Sequence, residues 1–230
     1  MKKIILAMMA VLICIVITMP AESATEDYFG AGIDCSGGPF WAVNTVLDTD
    51  TYAKSPIPEG AHKQYLACHQ EDLKITKIKG VFETEGLKSV DLIFIDTTRK
   101  GKLKFNEKGK LLSGQVDHVL VYLGDGKVWH AVDSDKKVVV ETLKSALDRK
   151  VKGGETYFEL RAGCGRITEL TDVQREEVVK LLNSIKGAPY QFGAKGWDFE
   201  RSKFVTIKEI KGEEKNGYTW NHAWEELKEK

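Results

Sequence analysis

The chain is 230 residues long and carries 34 Lys and Arg against 34 Asp and Glu, a formal net charge of zero. With 42% hydrophobic and 30% charged residues, it has the composition of an ordinary globular protein, long enough for one good-sized domain or a domain with an appendage. No basic surplus marks a nucleic-acid binder, and the Lys-rich runs near 99–110 and 203–215 are mixed with acidic residues and read as solvated faces.

Residues 1–24 read as a signal peptide. Lys2 and Lys3 precede an apolar run from Ile4 to Met19, and Pro20-Ala21-Glu22-Ser23-Ala24 supplies small residues for cleavage, best placed after Ser23. The run is short for a membrane span, and an uncleaved anchor is the alternative. Cys14 follows Ile13 and not a small residue, which argues against lipoprotein cleavage. The expected product is an exported chain over 25–230 forming one domain, with no integral membrane segment after cleavage, and a signal of this kind looks bacterial. It keeps Cys35, Cys68 and Cys164. Three is an odd number, so an oxidising compartment leaves one thiol over. The natural partition pairs Cys68 with Cys164 and leaves Cys35 free; other pairings stay open.

Gly32 to Val43 is the most informative stretch. Gly37-Gly38 suits a tight turn, Pro39 suits a first helical turn, and Phe40, Val43, Val46 and Leu47 follow a helical period to about Leu47. Cys35 is thereby expected at a helix N-terminus, where the dipole and free N–H groups favour a thiolate and an oxyanion. A buried, inert cysteine beside a turn is the competing reading.

Residues 48–60 are turn-rich, and Ala61 to Glu71 reads as a helix. Ile75 to Phe82 is a candidate strand. Val90 to Asp96 is an apolar run of the buried-strand type, and Thr97 to Gly109 a basic loop or hairpin. His118 to Leu123 and Val128 to Val132 form a hairpin around Gly124-Asp125-Gly126-Lys127. Counting out from its turn sets His118 opposite a residue near Asp133, with His130 diagonally inward and within hydrogen-bonding reach. Val138 to Val140 and Tyr157 to Leu160 are further strands, with a helix from Leu143 to Val151 between them. Thr171-Asp172 caps a helix to Ile185, followed by a loop from Gly187 to Gly193 and a Trp-rich helix over 219–230. The fold class is α+β, with a cysteine-bearing helix on an antiparallel sheet and peripheral helices.

Three segments resemble the NlpC/p60 superfamily of papain-fold cysteine peptidases, which trim bacterial cell-wall peptides. They are Asp34-Cys35-Ser36-Gly37, Val90-Asp91-Leu92-Ile93-Phe94-Ile95, and the run from Asp117-His118-Val119 to Trp129-His130-Ala131. Their order and spacing fit over about residues 28–132. The resemblance implies that Cys35 is the nucleophile, His118 the base and His130 the residue that orients it. Asp34 and Ser36 match positions that hold a substrate amine, and the N–H of Cys35 would serve the oxyanion. It implies peptidoglycan stem peptides as substrate, with neither cofactor nor metal.

The family's Gly-x-Pro-Tyr-x-x-Gly-Gly loop and the helix before it normally precede the cysteine. Here the match, Gly187-Ala188-Pro189-Tyr190-Gln191-Phe192-Gly193-Ala194, lies far downstream, as in a permuted chain that would bring Tyr190 back to the thiol. Gly38-Pro39 and Ser89-Val90 also depart from the pattern. His62, Cys68 and His69 have the chemistry of metal ligands but no recognisable spacing, and a surface helix is preferred. Trp197, Trp220 and Trp224, with Tyr190 and Tyr218, suit a sugar-stacking face or, more commonly, helix packing. Two further functions are carried: a silent domain that binds wall material or a partner, and an amidase or acyltransferase acting on lipid or protein amides.

Overall fold

The computed structural model describes residues 31–49, 52–68, 73–76, 86–97, 104–105, 111–113, 116–167, 169–198 and 201–214. The leader, most of the 75–82 strand, His69, Tyr218, Trp220, Trp224 and the 219–230 helix lie outside these residues. The protein is of mixed α+β type, built on one antiparallel sheet of six strands. In chain order these are β1 (Leu73–Thr76), β2 (Leu92–Ile95), β5 (His118–Gly124), β6 (Lys127–Val132), β7 (Lys137–Thr142) and β8 (Arg161–Ile167), arranged in space as β1-β8-β2-β5-β6-β7. Two short strands, β3 (Lys104–Phe105) and β4 (Leu111–Ser113), pair antiparallel as a separate two-stranded sheet.

The central strands read as apolar runs because both faces of the sheet are covered. Leu92, Phe94, Val119, Val121 and Trp129 share one core with Phe40, Trp41 and Val43 of α1 (Gly37–Val46) and Val178 and Leu182 of α4 (Asp172–Ser184). Ile93, Ile95, Leu120, Tyr122, Val128 and Cys164 form a second core under α3 (Leu143–Leu147). Each fully buried large side chain contributes roughly 1.5–3 kcal/mol.

Both glycines at the head of α1 are required by contact and not by a turn. A Cβ on Gly38 would stand 1.9 Å from the Trp129 ring, and one on Gly37 2.0 Å from the Ala194 carbonyl oxygen. The helix therefore begins two residues before the predicted Pro39, and Pro39 falls in its first turn. α4 starts as expected at a Thr171 cap, in a reciprocal capping box with Gln174.

Other expectations are corrected. α2 (Ala61–Ala67) and α3 are shorter than read. Residues 157–160 are a turn, and the strand is β8, which follows. Its Gly163 and Gly165 disguise it, and Gly165 is there because a Cβ would meet the Cys68 sulfur at 2.0 Å. Two further short strands, β9 (Trp197–Asp198) and β10 (Lys203–Phe204), and a last helix, α5 (Ile207–Lys211), were not anticipated. Cys68 and Cys164 are both free thiols. Cys68 packs in the first core and Cys164 in the second, so the sheet stands between them and the expected disulfide does not form. Among the described residues, no helix is long and apolar enough to cross a membrane, and no three His, Cys, Asp or Glu group as metal ligands.

Candidate active site

Cys35 lies between Asp34 and the N-cap residue of α1, Ser36. Asp34 turns back on the helix start: its Oδ1 accepts from the Ser36 N–H (3.0 Å), the Ser36 hydroxyl (2.9 Å) and the Gly37 N–H (2.6 Å). Its Oδ2 accepts from the Gly193 N–H (3.1 Å) and the Lys195 ammonium, which also donates to Ser36 Oγ at 2.9 Å. The Gly38 N–H goes to the Asp34 carbonyl. The N-terminal N–H groups expected to stabilise a thiolate are thus consumed by Asp34. None of the hydrogen bonds among the described residues uses the N–H of Cys35.

Cys35 is 6% exposed. Burial pushes it up to about 12; the Asp34 charge adds to the rise, and Lys195 and a hydrogen bond from the Val119 backbone oppose it. The sequence expectation of a thiolate favoured by the helix end is therefore overturned for this conformation. Cys35 Sγ donates to the Asp117 carbonyl at 3.7 Å. Asp117 and Val119 flank His118, so the sulfur rests on the backbone that carries the predicted base.

His118 opens β5, and the strand register pairs Val121 with Trp129 and Tyr122 with Val128. Continued outward, that register sets His118 opposite Val132, one residue from the predicted position, and leaves His130 on the diagonal. The two rings meet: His118 Nε2 and His130 Nδ1 are 3.0 Å apart. His130 Nε2 stands 2.8 Å from Glu141 Oε1 on β7. Arg149 Nε donates to the same Glu141 oxygen (2.5 Å), the Ser145 hydroxyl donates to the other (2.6 Å), and Arg149 forms a two-pronged pair with Asp135 (3.1 and 2.9 Å).

This chain fixes the tautomers. Burial works to raise the Glu141 carboxyl, but hydrogen bonds from His130, Ser145 and Arg149 prevail and hold it at about 2. An ionised carboxylate only accepts, so His130 carries its proton on Nε2 and offers the Nδ1 lone pair. His118 then donates from Nε2, and its Nδ1 is the lone pair facing away from the chain. Burial holds His118 well below its usual value, helped by His130 and Arg149. Burial also lowers His130, against the pull of Glu141. Both rings are neutral at pH 7.

The distant Gly187–Ala194 loop is brought to the residues just before Cys35. Ile33 bridges in parallel to Tyr190; Ile33 N–H donates to Pro189 O (3.1 Å), Gln191 N–H to Ile33 O (3.3 Å) and Asp34 N–H to Ala194 O (3.1 Å). α1 packs against α4, the helix that leads into this loop. Tyr190 is half-buried; burial raises its hydroxyl, and the Cys35 and Asp34 charges add to the rise.

Sequence reasoning missed four members. Glu141 was legible from alternation, since Val139 pairs with His130 and Glu141 lies two residues on, on the same face. Lys195 and Arg149 carry no local signal. Tyr157, read as a strand residue, lays its ring 5.2 Å from His118 and 6.4 Å from His130, centre to centre. His62, weighed as a metal ligand, accepts from the Val116 N–H through Nδ1 (3.2 Å) and braces the segment before β5. Trp197 packs on Phe204 and Tyr52. No family model matches the chain, and no curated protein matches it.

Proposed function

We propose that the protein is an exported bacterial cysteine hydrolase of papain-like fold that cleaves amide bonds in peptidoglycan stem peptides. The observation that carries this reading is the union of a cysteine seated on the backbone around His118 with a His118–His130–Glu141 chain that leaves His118 Nδ1 as a base. In the resting conformation the thiol donates to Asp117 O and not to the imidazole; catalysis begins when it turns to Nδ1, as apo sites often require.

His118 then takes the thiol proton, and the sulfur attacks the amide carbonyl. The oxyanion is held by the Cys35 N–H. His118 returns the proton to the leaving amine, and a thioester remains on Cys35. A water deprotonated at Nδ1 attacks the thioester and releases the acid. His130 and Glu141 keep the imidazole oriented and favour its transient charge.

A silent wall-binding domain is the second reading, and the buried thiol with its raised pKa stands on its side. Two measurements decide. Purified peptidoglycan incubated with the protein gains new amine and carboxyl termini by mass, and Cys35→Ala or His118→Ala lowers the yield by at least about 10²-fold. Alkylation of Cys35 near pH 7 also has a component that His118→Ala removes. A wall digest unchanged by the protein, with alkylation that tracks hydroxide alone and ignores His118, leaves the silent domain standing and ends the hydrolase reading.

A further inference from the structure

Arg149 follows α3 and joins three elements behind the histidine pair. Its Nε donates to Glu141 Oε1 on β7, the same oxygen that meets His130 Nε2. Its Nη1 and Nη2 grip both oxygens of Asp135, in the turn between β6 and β7 (3.1 and 2.9 Å). A guanidinium is planar, so the two-pronged grip fixes where its third donor points. With the Ser145 hydroxyl on Oε2, the Glu141 carboxylate is held on both oxygens. One positive charge is thus shared by two carboxylates, of which only Glu141 touches a histidine.

We propose that Arg149 is a positioning residue for the hydrolysis: anchored by Asp135, it aims the Glu141 carboxylate at His130, and the balance of charge between Arg149 and Asp135 sets the field on the histidine pair. This rests on the reading of His118 as the base. A carboxylate alone behind a histidine favours the imidazolium, and a base already protonated near pH 6 cannot take the thiol proton. Arg149 offsets Glu141, and Asp135 limits that offset. The directions agree: beyond the effect of burial, Arg149 lowers both rings, while Glu141 and Asp135 raise His130. The other titratable groups at the pair are Cys35, Asp117 and Tyr157. Cys35 lies on the Asp117 carbonyl, and the Asp117 carboxylate is turned to the Thr97 N–H and hydroxyl (2.5 and 2.6 Å). Tyr157 holds its ring on His118, and its N–H donates to the Arg149 carbonyl at 2.9 Å, a bond that any side chain at 149 preserves.

The test gives the two charges opposite signs. Imidazole NMR signals of the full chain are followed from pH 8 downward in the wild-type protein, Arg149→Met and Asp135→Asn. Arg149→Met is expected to raise the protonation midpoints of His118 and His130 by at least about half a pH unit. Asp135→Asn leaves Arg149 less neutralised, so its midpoints fall or stay at the wild-type value. A role in packing alone predicts another pattern, because loosening the site admits water and raises the midpoints in both variants. Midpoints unmoved or lowered in Arg149→Met, or raised in Asp135→Asn, overturn the proposal. Should Arg149→Met not fold, Asp135→Asn decides by the same rule. On a soluble stem peptide, the acid limb of kcat/KM moves in the same order, and Arg149→Met lowers kcat about 10-fold with KM little changed. If no form cleaves the peptide, the hydrolase reading fails on its own, and the ring titrations still decide what Arg149 does.

Discussion

A carboxylate can only accept hydrogen bonds, and at the residue scale that single fact gives the histidine pair its direction. Glu141 receives the His130 proton, so the lone pairs point in sequence from Glu141 through His130 to His118 Nδ1. Replacing the carboxylate separates its two contributions. In Glu141→Gln the amide oxygen still faces His130 and Arg149 while the amide nitrogen donates to Ser145, so orientation survives and only the charge that favours the imidazolium is lost. Glu141→Ala loses both, and His130 is free to present either nitrogen. We expect kcat to fall about 10-fold in the first and on the order of 10²-fold in the second, with KM little changed. Equal losses in both variants, measured by initial rates on a soluble stem peptide, would show that the tautomer does not matter here.

At the scale of elements, close approach decides what propensity leaves open. Gly37 and Gly38 weaken a helix by about 1 kcal/mol each relative to Ala, and a sequence reading accordingly delays the helix to Pro39. They are tolerated because α1 meets Trp129 and the Ala194 carbonyl with no room for a methyl group. Gly37→Ala drives its Cβ into backbone that cannot move cheaply, whereas Gly38→Ala meets a ring that can shift. Net of the helix gain, urea unfolding is expected to show a loss of about 1–3 kcal/mol for either, with Gly37→Ala the worse. A stability unchanged in both would mean that the α1 approach is looser than described. The same physics explains what was legible. The hairpin of β5 and β6 announced itself by Asp125-Gly126 and alternation, and so did the meeting of His118 with His130. β8 was hidden by its glycines, of which Gly165 makes room for Cys68 and Phe94, and Lys195 and Arg149 reach their partners only through tertiary packing. Asp91, in the strand that carries the family resemblance, ties Arg166 at the end of β2 remote from His118, so its part is structural.

For the whole molecule, the decisive feature is that residues 189–195 close on residues 33–36, so two segments far apart in the chain meet at the cysteine. The two-sided core has a second consequence. Cys68 and Cys164 lie on opposite faces of the sheet, so even in the oxidising compartment proposed above that pair stays apart, and all three thiols of residues 25–230 are free in this fold. Alkylation under denaturing conditions should label three cysteines in the secreted form, without prior reduction; a mass two hydrogens lighter would mark a disulfide that this packing forbids. The buried thiols and histidines then shape stability against pH together. His118 and His130 are held below their ordinary value, so the unfolded chain binds protons first as pH falls under about 6.5. Their contribution is present above that pH and is lost below it, at up to about 1.4 kcal/mol per pH unit for each ring. Glu141 adds loss of the same sign between its ordinary 4.5 and about 2. On the alkaline side, burial raises Cys35 and Cys68 from 9.0 to about 12, and Cys164 in the same direction. There the unfolded chain gives up protons first, so stability is present below pH 9 and is lost as pH rises toward 12. The expected curve is a plateau between about pH 6.5 and 9 with a fall on both sides. Urea midpoints at pH 5, 7.5 and 10 measure it, and Cys68→Ala and Cys164→Ala should flatten the alkaline fall. An unchanged midpoint at pH 5 would contradict a buried neutral histidine pair, because the protons taken up on unfolding must then have been bound already in the folded site.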